Sequence, residues 1–153
     1  MDFSINVKVK VLSDRIGADI QFPHYATEGA AGMDLPACLT APLSVSPGER
    51  VTVPTGIAID IPDRHIVGLV FPRSGLAAKF GVSLANAVGV IDSDYKGEIL
   101  AAITNQSDQA YIINPGERIA QLLFLPVYHA VLEQVEELSN SDRGSGGFGS
   151  TGK

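Results

Sequence analysis

In this chain apolar residues recur at every second position, in short runs cut by Pro and Gly. Val7, Val9 and Val11 alternate with Lys8 and Lys10, and Ile57, Ile59 and Ile61 alternate with Ala58 and Asp60. A period of two puts the apolar side chains on one face of a strand, so both runs predict half-buried β-strands. The stretches 67–71 and 99–103 are more continuously apolar and predict strands covered on both faces. The tetrapeptide PGER occurs twice, at residues 47–50 and 115–118. Pro and Gly suit the second and third positions of a type II turn, where Gly takes the positive φ. Each copy precedes an apolar stretch, residues 51–53 and 119–125, so two similarly built hairpins are predicted. Short strands joined by such turns point to an all-β sandwich or jelly roll. Only SGLAAKF, residues 74–80, reads as a helix, of about two turns, with Gly81 as its stop.

The 153 residues are 45% apolar, enough for one domain with a core. That domain is expected over residues 1–138. Residues 139–153, SNSDRGSGGFGSTGK, are nearly all Gly, Ser and polar, and read as a flexible arm. Its one large apolar residue, Phe148, has no core of its own to join, which hints that it docks elsewhere. The net charge of -6 argues against a nucleic acid polymer as partner. The lone Cys38 forms no intrachain disulfide, and His24, His65 and His129 match no zinc spacing. No signal peptide is expected from MDFSINVKVKV, and residues 120–132 are too short to span a bilayer. A cytoplasmic protein without membrane contact is expected.

The arm imitates two nucleotide motifs. Gly144, Gly146 and Gly149 spell G-x-G-x-x-G, and Gly147, Gly152 and Lys153 spell G-x-x-x-x-G-K. Both motifs need a following helix whose N-terminus holds the phosphate, and none is expected after Lys153. Closely spaced glycines can still turn several N–H groups toward one anion.

Five segments carry more. Residues 30–35 read AAGMDL, 71–81 FPRSGLAAKFG, 89–98 GVIDSDYKGE, 116–124 GERIAQLLF and 143–152 RGSGGFGSTG. In this order and spacing they resemble the five motifs of the trimeric dUTP pyrophosphatase (dUTPase) family, over nearly the whole chain. The third and fifth segments are the most specific. The resemblance implies a distorted jelly roll with one short helix and a glycine-rich C-terminal arm. It implies hydrolysis of dUTP to dUMP and pyrophosphate, which keeps uracil out of DNA and supplies dUMP for thymidylate synthesis. It also implies Mg²⁺ and a homotrimer with active sites shared between chains. Pro126, between the strand at 119–125 and a last strand expected near 131–135, would stiffen a hinge sending the arm to a neighbour.

Carried over residue by residue, the resemblance makes Asp92 the base that orients water for in-line attack on the α-phosphorus. Read without it, Asp92 is an ordinary turn aspartate. Asp94 is expected to be structural. Tyr95 matches the ring that stacks on deoxyribose and leaves no room for a 2′-hydroxyl. Asn86 and its strands match the uracil pocket, with Val90 and Ile91 lining the nucleoside and Leu100 a further contact. Arg73, Ser74 and Gly75 open the helix, where a guanidinium, a hydroxyl and free N–H groups suit phosphate; a cap by Ser74 is the plainer reading. Gln121 is a further phosphate contact. Asp34 is expected to meet the metal's water shell, with no direct protein ligand. Met33 stands where the family commonly has tyrosine. In the arm, Phe148 would stack on uracil, while Arg143, Ser150 and Thr151 reach the γ-phosphate beside Gly149. Two other readings are a dCTP deaminase, which shares the fold but has a different tail motif, and a non-catalytic jelly-roll module.

Overall fold

The computed structural model describes residues 4–148. In chain order its elements are β1 (Lys8–Val11), β2 (His24–Tyr25), β3 (Met33–Pro36), β4 (Leu43–Val45), β5 (Arg50–Asp60), β6 (Ile66–Pro72), α1 (Ser74–Phe80), β7 (Val82–Leu84), β8 (Gly89–Ile91), β9 (Glu98–Asn105), β10 (Tyr111–Ile113) and β11 (Arg118–Pro126). Antiparallel pairing sorts the strands into a sheet β1-β5-β9-β7, a sheet β2-β3-β11-β6-β8 and a small ribbon β10-β4. One apolar core holds them together, with Leu35, Val45, Val53, Ile57, Ile99, Ile103, Ile113, Ile119 and Leu122 essentially without solvent contact. The result is the expected all-β jelly roll with one short helix. No helix is long and apolar enough to cross a membrane, among the described residues.

Both PGER segments form the predicted turn. Gly48 has φ +75° and Gly116 φ +79°. The Glu49 N–H donates to Ser46 O (3.0 Å) and the Glu117 N–H to Asn114 O (3.1 Å). In each turn the Glu carboxylate also accepts the N–H of the turn's first residue, Ser46 (2.7 Å) and Asn114 (3.0 Å). The turns are not hairpins, however. β4 pairs with β10, while β5 and β11 belong to different large sheets. Each turn is therefore a corner that carries the chain from the ribbon into a sheet. Local turn chemistry is the same in both cases; the pairing partner is set by core packing.

Two burial expectations fail for related reasons. β6 and β9 alternate rather than being covered on both faces. Gly68 and Val70 are buried on β6, and Ile99, Ala101 and Ile103 on β9, while Leu100 is 49% exposed. Conversely, Ile57, Ala58 and Ile59 are all buried in β5, which sits inside its sheet. Ala58 lies in register with Lys10 on β1 and Glu98 on β9, whose long stems flank a small side chain. On β1, an edge strand, Val9 and Val11 stay exposed.

α1 spans the predicted residues. Gly81 ends it in the left-handed region (φ 66°), its N–H donating to Ala77 O. The residue at the N-cap is Arg73, and no side chain caps the helix, so the expected Ser74 cap is absent. The strand expected at residues 131–135 is absent too. After Pro126 the described chain has neither strand nor helix, and Val131 and Leu132 are more than nine-tenths exposed. A strand needs a partner edge, and this segment has none among the described residues.

Candidate active site

β7 and β8, edge strands of the two different sheets, build one pocket together with the connection between them and the turn that follows. Asn86, Val90, Ile91, Asp92, Tyr95 and Leu100 all line it, around a volume of about 240 Å³. The connection is tight: Ala87 takes φ 61°, and its N–H donates to Leu84 O (3.1 Å). Asp92 follows β8 directly. Its carbonyl accepts the Tyr95 N–H (3.1 Å), which folds residues 92–95 into a turn. The turn is pinned from outside by Lys96, whose Nζ donates to Ser93 O (2.6 Å) and Asp60 Oδ1 (2.5 Å). Beside this ammonium the Asp60 carboxyl titrates below its ordinary value. Tyr95 Oη donates to Glu98 O (2.8 Å). Glu98 Oε1 accepts the Gly56 N–H (2.9 Å), so that carboxylate is committed to the sheet. Asp92 is the other carboxylate lining the pocket. It is exposed, and it stands in none of the side-chain hydrogen bonds or ion pairs among the described residues.

A second cluster forms where β3, β11 and the end of β6 meet. Asp34, 8% exposed, lies between two arginines. Arg73 Nε is 3.2 Å from its Oδ1, and Arg118 Nη1 is 2.9 Å from its Oδ2. Arg73 Nη1 also donates to Arg118 O (3.1 Å). Two guanidiniums thus share one carboxylate, leaving net positive charge at the opening of α1, where Ser74 and Gly75 lie. Gln121, directly across from Asp34 on β11, donates Nε2 to Pro72 O (3.0 Å). Nearby, burial first and the Glu117 carboxylate second raise the Tyr111 hydroxyl to about 12, so it stays protonated. Sequence reasoning missed Arg118. It closes the second PGER copy and opens β11, and that place at the start of a strand is a usable signal.

The two clusters do not meet within one chain. Ile91 pairs with Gly68, whereas Phe71 pairs with Gln121, and Gln121 with Asp34. Three residues along the strands and three strand spacings across put Ile91 and Asp34 roughly 17 Å apart. Asp92 lies one residue further from Asp34 still. Arg143 and Phe148 line neither cluster. They sit in the exposed arm, where Gly146 N–H donates to Arg143 O (3.1 Å) and Phe148 lies two residues beyond that turn. Gly149, Ser150 and Thr151 lie outside the described residues. Among the described residues, no three His, Cys, Asp or Glu side chains converge to hold a metal.

This geometry matches known proteins along its length. The dUTPase family model matches residues 18–152. A deoxyuridine 5'-triphosphate nucleotidohydrolase of Idiomarina loihiensis is 53% identical over 96% of this chain and 97% of its own. Among solved structures, the Staphylococcus bacteriophage 80alpha dUTPase with dUPNHPP superposes with a TM-score of 0.86 at 30% identity, over 98% of this chain and 100% of that one. A dUTPase variant from S. aureus phage phi11, which coordinates a structural Mg(II) ion, has a TM-score of 0.76 at 25% identity, over 89% of this chain and 100% of that one. Family model, curated relative and fold agree over nearly every residue, and the chain belongs to the dUTPase family.

Proposed function

We propose that this protein hydrolyses dUTP to dUMP and pyrophosphate at sites shared between copies of the chain. The observation that carries this reading is the Asp92 carboxylate, unpaired among the described residues, in a pocket otherwise walled by Asn86, Val90, Ile91, Tyr95 and Leu100. A carboxylate with no competing partner can accept a proton from a water and aim it at phosphorus. The amide and backbone groups around Asn86 suit the uracil edge, and the Tyr95 ring suits the face of deoxyribose. In this reading Arg73, Ser74, Gly75, Gln121 and the newly recognised Arg118 take the triphosphate, with Asp34 holding the two arginines in place. Preorganised cations of this kind stabilise the charge that develops on the departing pyrophosphate.

Mg²⁺ fits this arrangement as a companion of the substrate. Each Asp34 oxygen accepts one guanidinium, which leaves lone-pair capacity for a metal-bound water and argues against direct ligation. When bound, the ion would neutralise phosphate charge.

The separation of the two clusters supports assembly from several chains, because it exceeds the span of a triphosphate. An apolar groove of about 1130 Å³, lined by Val7, Val9, Phe22, Tyr25 and Phe124 among others, supports it further. Its natural cover is residues 127–138 of a second copy, whose Tyr128, Val131, Leu132 and Leu138 are almost wholly exposed. A homotrimer built this way would carry each arm to a neighbour. There Phe148 would close on uracil, with Arg143, Gly149, Ser150 and Thr151 on the phosphates. Stacking an aromatic ring on a base is worth about 1–3 kcal/mol, so Phe148→Ala is expected to lower turnover about tenfold. Steady-state kinetics checks it, and unchanged kinetics would remove the arm from the mechanism.

The reading itself is tested with purified protein, Mg²⁺ and a panel of dUTP, dCTP, dTTP and UTP. Pyrophosphate is expected from dUTP in large preference to the others. Ammonia from dCTP would make the chain a deaminase, and no product from any nucleotide would make it a binding module.

A further inference from the structure

One glycine decides where the wall of the pocket can stand. Tyr95 is 43% exposed and sits on a surface turn, so burial does not fix its ring. Its hydroxyl bond to Glu98 O is one restraint. The other is the space above Gly97. A Cβ on Gly97 would lie 2.5 Å from Tyr95 Oη, 2.7 Å from Cζ and 3.1 Å from Cε2. These separations are far inside van der Waals contact. Gly97 is not among the glycines with positive φ, so the backbone there does not call for glycine. What calls for it is the ring.

We infer that Gly97 is a specificity-determining position: by lacking a side chain it seats the Tyr95 ring where a 2′-hydroxyl would have to go. The inference rests on the reading of Tyr95 as the deoxyribose wall. A methyl group at residue 97 displaces the ring and breaks its bond to Glu98 O. The clash falls on the end of an exposed side chain, so the ring moves while the backbone and fold stay. Gly97 acts through Tyr95 and is a positioning residue. The sequence placed it in the third motif without giving it any task.

The test compares Gly97→Ala with wild type in two ways: kcat/KM for dUTP against UTP, and affinity for non-hydrolysable dUTP and UTP analogues by calorimetry. The variant is expected to melt like wild type and to lose about tenfold in the dUTP-to-UTP ratio, part of the roughly hundredfold by which a site can reject an added hydroxyl. In a Tyr95→Ala background the same substitution is expected to change the ratio no further, because residues acting through one contact are not additive. A folded Gly97→Ala with the wild-type ratio would overturn the inference, and so would an equal further loss in the Tyr95→Ala background. If Gly97→Ala does not fold, Tyr95→Phe serves, since it removes only the bond to Glu98 O. A partial loss of the ratio is then expected, and an unchanged ratio refutes the pinned ring. Wild-type protein that binds both analogues equally would instead sink the reading of Tyr95 itself.

Discussion

Asp92→Asn is expected to lower kcat on dUTP by about a thousandfold, within the range that a positioned general base contributes. The substitution is nearly isosteric, and the amide can still accept a hydrogen bond from water. What it cannot do is take the proton. Asp92 is exposed and has no side-chain partner among the described residues, so its replacement breaks no structural bond there. Melting temperature and affinity for a non-hydrolysable dUTP analogue should therefore stay close to wild type. Loss of turnover with binding and stability retained is the signature of an interaction made in the transition state. Turnover within a few-fold of wild type would remove Asp92 as the base, and a collapse of analogue binding would recast it as a binding group.

Arg73→Gln is expected to cost about a hundredfold in kcat/KM, the scale for losing one preorganised charge-stabilising group. Arg73 has two local tasks, the Asp34 carboxylate and the Arg118 carbonyl. Its loss frees one side of Asp34 and loosens the pair that would grip the triphosphate. The ion pair is partly exposed, so the stability change should be small, about 1 kcal/mol or less. The two effects separate in the measurement: steady-state kinetics moves strongly, while a denaturation curve moves little. A large drop in melting temperature with intact kcat/KM would show a structural arginine outside the site.

How much of this was legible beforehand depends on which interactions decide each feature. The PGER turns, the Ser74–Phe80 helix and the Gly81 stop were readable, because Pro, Gly and short-range periodicity fix them within a few residues. The pocket residues from Asn86 to Leu100 were named through the family resemblance, and they lie together because one short connection and one turn gather most of them. The destinations of β4, β5, β10 and β11 were not, because the core and not the turn selects a strand's partner. Arg118 escaped notice because its role depends on register: it becomes part of the cluster only when β11 lies beside β3 and brings it to Asp34. Gly97 escaped for a different reason. A missing side chain matters only when the atoms that would collide with it are known. The arm was legible in composition alone. Phe148 and Arg143 were picked out by type, yet within one chain they meet neither cluster.

The central claim is that one functioning site draws on more than one copy of the chain, with Asp92 from one and the Arg73 cluster from another. Co-expression of Asp92→Asn with Arg73→Gln, each separately expected to be strongly impaired, tests it directly. If the clusters come from different chains, random assembly gives about one site in four an intact Asp92 and an intact Arg73. The mixture should then show about a quarter of wild-type dUTP turnover. A mixture no more active than its two parents would contradict the claim and return both clusters to a single chain.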